Sequence, residues 1–240
     1  MNLTAIPAKR APDAIASCAA ANRVQPYRTI HKALRLMFGH ALERTGALDA
    51  GDAEERAAFV DEVERLLGFC ADHLAHENHF FHEPLRARSP LAVVAFDDDH
   101  ADHVAGIEEL RGLLARLRDG GPRAASLAYE IHLRLSQFVG ESLVHMAEEE
   151  STLTSTLWAH FSDAEIMTFE SALHATFTPE QHAFHLRWLA RALNASELAE
   201  LLAAMKQALP APVFDAMADV ARAELGPQRW GRIARQPALA

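Results

Sequence analysis

Only two cysteines, Cys18 and Cys70, occur in 240 residues. That excludes a disulfide framework and any zinc-finger or RING arrangement of thiolates. Basic residues are also short: 23 Lys and Arg against 33 Asp and Glu give a formal charge of −10. Nucleic acid, which wants a basic surface, is therefore not an expected partner. No apolar run approaches the ~20 residues of a membrane span, so no membrane segment is expected. The stretch MNLTAIPAKRAPDAIAS has no long apolar segment after its basic residues, which argues against a secretory signal and for a cytoplasmic protein. No sustained period-2 apolar alternation is present, so no sheet is expected. Tyrosine appears only twice.

What is present is helix-forming residues and histidine. Alanine, leucine, glutamate and arginine dominate, and half of the residues are hydrophobic, enough for one large core. Helix starts are legible at Asp52 and at the capping boxes Ser162–Glu165, Thr178–Gln181 and Asn194–Glu197, with Ser89-Pro90 as a further candidate. Stops are expected at Thr45-Gly46, Pro84, Asp119-Gly120-Gly121-Pro122, Pro210 and Gly226-Pro227. These signals predict four long helices over about 26–45, 52–83, 91–118 and 123–160, with three or four shorter ones between 163 and 225. Long helices joined by short connections predict an all-α fold, an up-down-up-down four-helix bundle with additional C-terminal helices. The corresponding division is an arm over 1–25, the bundle over 26–160 and a helical extension packed on it over 161–240.

Histidine occurs 14 times. Each long helix carries an apolar stripe at i, i+3/i+4, i+7 spacing, and histidines interrupt every one. His31 lies on the face of Tyr27 and Leu34, His73 on that of Leu66 and Cys70, His103 on that of Phe96, Ile107 and Leu110, and His145 follows Phe138 by two turns. Glu77 and Glu149 each stand four residues after a histidine, which places each pair one above the other on its helix. Isolated carboxylates in an apolar core cost several kcal/mol each, and a divalent cation removes that conflict. Adding 72 to 31, 73 and 77 gives 103, 145 and 149, all of the same residue type. Two-fold pseudo-symmetry follows, and with it the candidate metal ligands His31, His73, Glu77, His103, His145 and Glu149. His100 shares the face of His103, but its counterpart at position 28 is arginine, so it is expected outside the ligand set. His79 and His82 are rotated away from the His73/Glu77 stripe and are expected at the surface. His132, His160, His174, His182 and His185 have no carboxylate at ligand spacing, and the acidic run Glu148–Glu150 reads in part as a solvated face.

HKALR at 31–35, HLAHE at 73–77, DH at 102–103 and HMAEEE at 145–150 resemble the hemerythrin-like (HHE) cation-binding family over residues 26–160. LWAHFSDAEI at 157–166, LRWLARALNASEL at 186–198 and MKQALPAPVFD at 205–215 resemble the segments that follow the metal domain in iron-sensing plant ubiquitin ligases. The resemblance implies two iron ions bridged by Glu77 and Glu149, with His31, His73, His103 and His145 as terminal ligands. Two bridging carboxylates and four histidines supply eight bonds where two octahedral ions need roughly twelve, so positions remain for a small gas such as oxygen or nitric oxide. The implied function is binding or sensing of such an oxidant, or handling of iron. The alternatives are a di-iron oxidoreductase, for which Tyr27 is the only tyrosine one turn from a ligand, and a helical interaction module with a structural metal.

Overall fold

The computed structural model describes residues 22–239, so Cys18 and most of the expected N-terminal arm lie outside the described residues. Among these residues the chain is helical throughout, with no strand, and no helix is long and apolar enough to cross a membrane. Helix α1 spans Arg28–Ala47. Helix α2 spans Ala53–Glu77, passes through a π turn at Asn78–His82 and resumes over Glu83–Arg88. Helix α3 spans Val94–Arg118. Helix α4 spans Ala124–Glu148, passes through a π turn at Glu149–Leu153 and ends with Thr154–His160. Helices α5 (Asp163–His174), α6 (Pro179–Ala192), α7 (Ala195–Ala208) and α8 (Ala211–Ile233) follow.

The caps are those that the sequence announces. Asp52 accepts from the backbone N–H groups of Glu54 and Glu55, and both halves of the capping box form at Ser162, Thr178 and Asn194. One expected stop is not a stop. Pro84 is the second residue of the resumed helix, where a missing N–H costs little, and α2 runs on to Arg88. Gly226-Pro227 does interrupt the helix: Gly226 (φ 67°, ψ 171°) leaves helical geometry, and beyond it a second helical segment of α8 runs to Ile233. Ser89 closes α2 instead of opening α3, which starts at Val94. The connection between α3 and α4 needs glycine: Gly120 and Gly121 have φ of 72° and 99°, a region that side chains with a Cβ rarely enter.

Helix α1 packs on α2 and α4, and α3 packs on α2 and α4, so the four close a ring. Their apolar stripes meet in one cluster that includes Phe38, Leu67, Leu114, Ile131 and Leu135, all buried. A second cluster (Tyr27, Phe81, Leu85, Val93, Phe96, Leu153, Leu157, Phe161 and Ile166) closes the end of the ring where both π turns lie. A third joins α6, α7 and α8. Helix α6 packs along α1, and Arg28 and Lys32 of α1 both pair with Glu197 at the start of α7. Arg23 reaches the carbonyls of Trp158 and Phe161 and the Asp163 carboxylate, tying the segment before α1 to the α4–α5 junction.

Candidate metal centre

Between the first and second apolar clusters lies a polar layer. Glu77, Glu149, His31, His100, His103 and His145 are all buried there, and His73 is nearly so. The helical four-residue spacing acts as the sequence suggests: Glu77 Oε1 is 3.0 Å from His73 Nε2, and Glu149 Oε1 is 3.1 Å from His145 Nε2. Helix α1 brings His31 Nε2 to 3.2 Å from His73 Nε2, 3.5 Å from Glu77 and 3.4 Å from Glu149. Helix α3 brings His100 Nε2 to 2.9 Å from His145 Nε2, 3.4 Å from Glu149 and 3.7 Å from Glu77. The result is two histidine pairs facing two carboxylates, with each carboxylate in reach of both pairs.

Three residues stand elsewhere than expected. His100, not His103, is the α3 histidine beside the carboxylates. His103 lies one turn on, its ring 5.0 Å from that of His145, and lines a cavity of about 30 Å³ that His73, Glu77, His145 and Glu149 border on one side and Leu34 and Phe138 on the other. A water needs about 10–15 Å³ of such space, so the cavity can take a molecule of two or three atoms. His82, expected at the surface, is fully buried and stacks on His100 with ring centroids 4.9 Å apart. Two groups of side chains offer ligand atoms within 4.8 Å of one another: His31, His73 and Glu77, and His82, His100 and Glu149.

The fit to a cation can be tested on hydrogen bonding. Five of the rings have Nδ1 against an acceptor: His31 on Glu150 (3.0 Å), His82 on Asp97 (3.0 Å), His100 on the Asn78 amide oxygen (2.9 Å), His103 on the Asp99 carbonyl (2.6 Å) and His145 on the Asp99 carboxylate (3.3 Å). Acceptors fix the proton on Nδ1 and turn Nε2 toward the layer, as outer partners of metal-bound histidines do. Meanwhile both oxygens of Glu77, Oε2 of Glu149 and Nε2 of His82 and His103 have no hydrogen-bond partner. Glu77 Oε1 is close to two ring nitrogens without hydrogen-bond geometry to either. Buried polar atoms without partners cost about 1–3 kcal/mol each, and a cation would satisfy several at once. The donors, nitrogen and carboxylate oxygen without thiolate, suit a first-row divalent metal. The buried Cys70 thiol, pushed by burial up to about 12, does not ionise in the ordinary range.

Charge is balanced through protons. Burial lowers the affinity of His31 for a proton, but the hydrogen bond to Glu150 and the nearby carboxylates of Glu77 and Glu149 outweigh it and lift the ring to about 9. His145 also reaches about 9 against its burial, through Glu149 foremost. Both glutamates are held below the usual carboxylate range by the rings around them, against the opposing pull of burial. His103 is lowered, first by burial, and is neutral near pH 7.

Sequence reasoning missed Glu150, whose half-buried carboxylate bonds His31 and Arg35, and Asp99, which serves both His103 and His145. Both adjoin a candidate ligand or a ligand-bearing turn, and that adjacency was the available signal. It also left isolated three histidines that the fold gathers: His174, His182 and His185 pack edge-on against Phe177, as does His76. No family model, curated protein or solved structure matches the chain.

Proposed function

We propose that residues 26–160 form an up-down-up-down bundle holding two iron ions in a hemerythrin-like centre, which binds or senses oxygen or nitric oxide or handles iron. The observation that carries the reading is the double pairing: His31 with His73, and His100 with His145, each about 3 Å apart at Nε2 and both in reach of Glu77 and Glu149. Six side chains would hold the ions: these four histidines and the two glutamates between them. When bound, iron supplies a redox-active centre with positions open to a small molecule. The chain's own part is to orient the rings through Glu150, Asn78 and Asp99, to keep bulk water out with the apolar clusters, and to leave a cavity for a diatomic molecule beside His103. The resemblance of three motifs to the HHE family, at 31–35, 73–77 and 145–150, points the same way, while the fourth, DH at 102–103, implies His103 in place of His100.

The test is elemental analysis of untagged protein loaded with Fe(II) without oxygen. Two irons per chain are expected, followed by a new visible absorption on mixing with oxygen or nitric oxide. One iron or fewer, or no optical response to either gas, would overturn the reading.

A di-iron oxidoreductase is the second reading, and Tyr27 favours it. Its ring stacks on His31 at 5.6 Å, and its buried hydroxyl has no hydrogen-bond partner. Burial and the charges of Glu149 and Glu77 raise that hydroxyl well above 10, so it keeps its proton and can donate it. Turnover of peroxide or nitric oxide by the iron-loaded protein, lost in Tyr27→Phe with both irons retained, would establish this reading. Equal turnover in the variant would remove it.

A further inference from the structure

The two halves of the polar layer are not equivalent, and His82 makes the difference. Helix α2 does not end at Glu77; its π turn carries the chain on so that His82 re-enters the core. Its Nδ1 is 3.0 Å from Asp97 Oδ1, and Asp97 is clamped from the other side by Arg86 at 2.6 Å. The His82 ring is thus held by a carboxylate that is itself held, with its face on His100 and its edge against Phe96. Its Nε2 is buried and has no partner. One nitrogen of His82, one of His100 and one oxygen of Glu149 lie within 4.8 Å of each other. A core histidine kept for packing alone would strand that nitrogen, at a cost of about 1–3 kcal/mol.

We infer that His82 Nε2 is an additional ligand of the ion held by His100, His145 and Glu149. The inference rests on the two-ion reading above and gives that ion three histidines, against two (His31 and His73) for its neighbour. At the position that matches His82 in the other half, five residues after the second glutamate, stands Thr154, whose hydroxyl is spent on the Glu149 carbonyl. The His82/His100/His145 half is thereby the richer in nitrogen, and the His31/His73 half keeps one more position for an outside molecule. The two ions then differ in affinity. Nitrogen-rich ligation favours the later first-row metals, so the His82 half would fill first with such an ion.

Titration of the metal-free full chain with Co(II), followed by calorimetry and visible absorption, tests this. The proton NMR spectrum of the Co(II) form adds a readout that packing alone would not move: each Nε2-bound ring contributes one hyperfine-shifted, exchangeable Nδ1 proton. Wild type is expected to take two ions. His82→Leu, of similar size, should bind one ion as wild type does and the other about tenfold or more weakly, with one shifted exchangeable proton lost. Asp97→Asn keeps the ring but weakens its support. It should weaken the same ion, and it decides the matter if His82→Leu does not fold by circular dichroism. Two ions bound with wild-type affinity and an unchanged set of shifted protons, in whichever variant folds, would overturn the role of His82. A wild-type chain that takes up no Co(II) would overturn the two-ion reading itself, a different result.

Discussion

The Nε2 atoms of His100 and His145 lie 2.9 Å apart, although both rings already have Nδ1 against an acceptor. At most one proton fits between them; on the reading proposed above, an ion would take its place and hold both nitrogens. His100→Ala is expected to lose one ion or to bind it at least about tenfold more weakly. His103→Ala, whose ring only borders the cavity, should retain both and change the rate of reaction with oxygen. Iron analysis and stopped-flow absorbance measure the two effects. Loss of iron from His103→Ala with none from His100→Ala would restore His103 as the ligand.

Three successive glutamates differ in kind. Glu149 is fully buried between both histidine pairs, while Glu150 accepts from His31 Nδ1 at the edge of the layer. Glu149→Ala and Glu77→Ala should each lose at least one ion. Glu150→Ala should keep two, with affinity reduced about 10-fold to 100-fold through the looser His31 ring. Elemental analysis under a competing chelator separates the three variants, and loss of an ion from Glu150→Ala equal to that from Glu149→Ala would show the register to be wrong.

The metal-free protein should be most stable near pH 6–7. His31 and His145 are lifted to about 9, so the stability they contribute is complete below the unfolded value of about 6.5 and is lost as pH rises through 9. His82 and His103 are lowered, first by burial, and His185 falls to about 4. Those rings must charge in the unfolded chain first, so their contribution is lost as pH falls below about 6.5. Thermal melts across pH 5–10 would show a maximum between. A melting temperature rising steadily to pH 10 would contradict the charge balance described for the layer.

Leu114 is fully buried in the main cluster, about three turns along α3 from His103. Leu114→Ala should cost about 2–5 kcal/mol in denaturant unfolding and leave the ion count unchanged. Co-loss of metal would mean that the cluster and the polar layer do not behave as separable units.

The helices and their caps were legible because those signals are local. Asp52, Ser162, Thr178 and Asn194 each act on N–H groups two or three residues away. The His73/Glu77 and His145/Glu149 pairs were legible for the same reason. His82 was not. At about 100° per residue it lies about 140° around the helix from Glu77. A turn closed by i→i+5 bonds, as from the Glu83 N–H to the Asn78 carbonyl, takes up about one residue more and returns the ring toward the core. No residue type announces a π turn. The choice between His100 and His103 rested on the 72-residue offset, which pairs 31 with 103 and sets arginine at 28 against His100; that repeat is in the residue types and does not fix which turn of α3 stands level with the carboxylates.

The polar layer has a mechanical meaning. It interrupts the apolar interior, leaving the cluster around Tyr27, Phe81 and Leu153 as a lid that meets the rest of the core only across ionisable groups. A cation there would act as a rivet between two blocks of hydrophobic packing. With the rivet in place the helical ring and its lid would melt as one body. Without it, the lid would become a separate cooperative unit, and the surface built on Trp158, Phe161 and the start of α5 would report whether the rivet is seated.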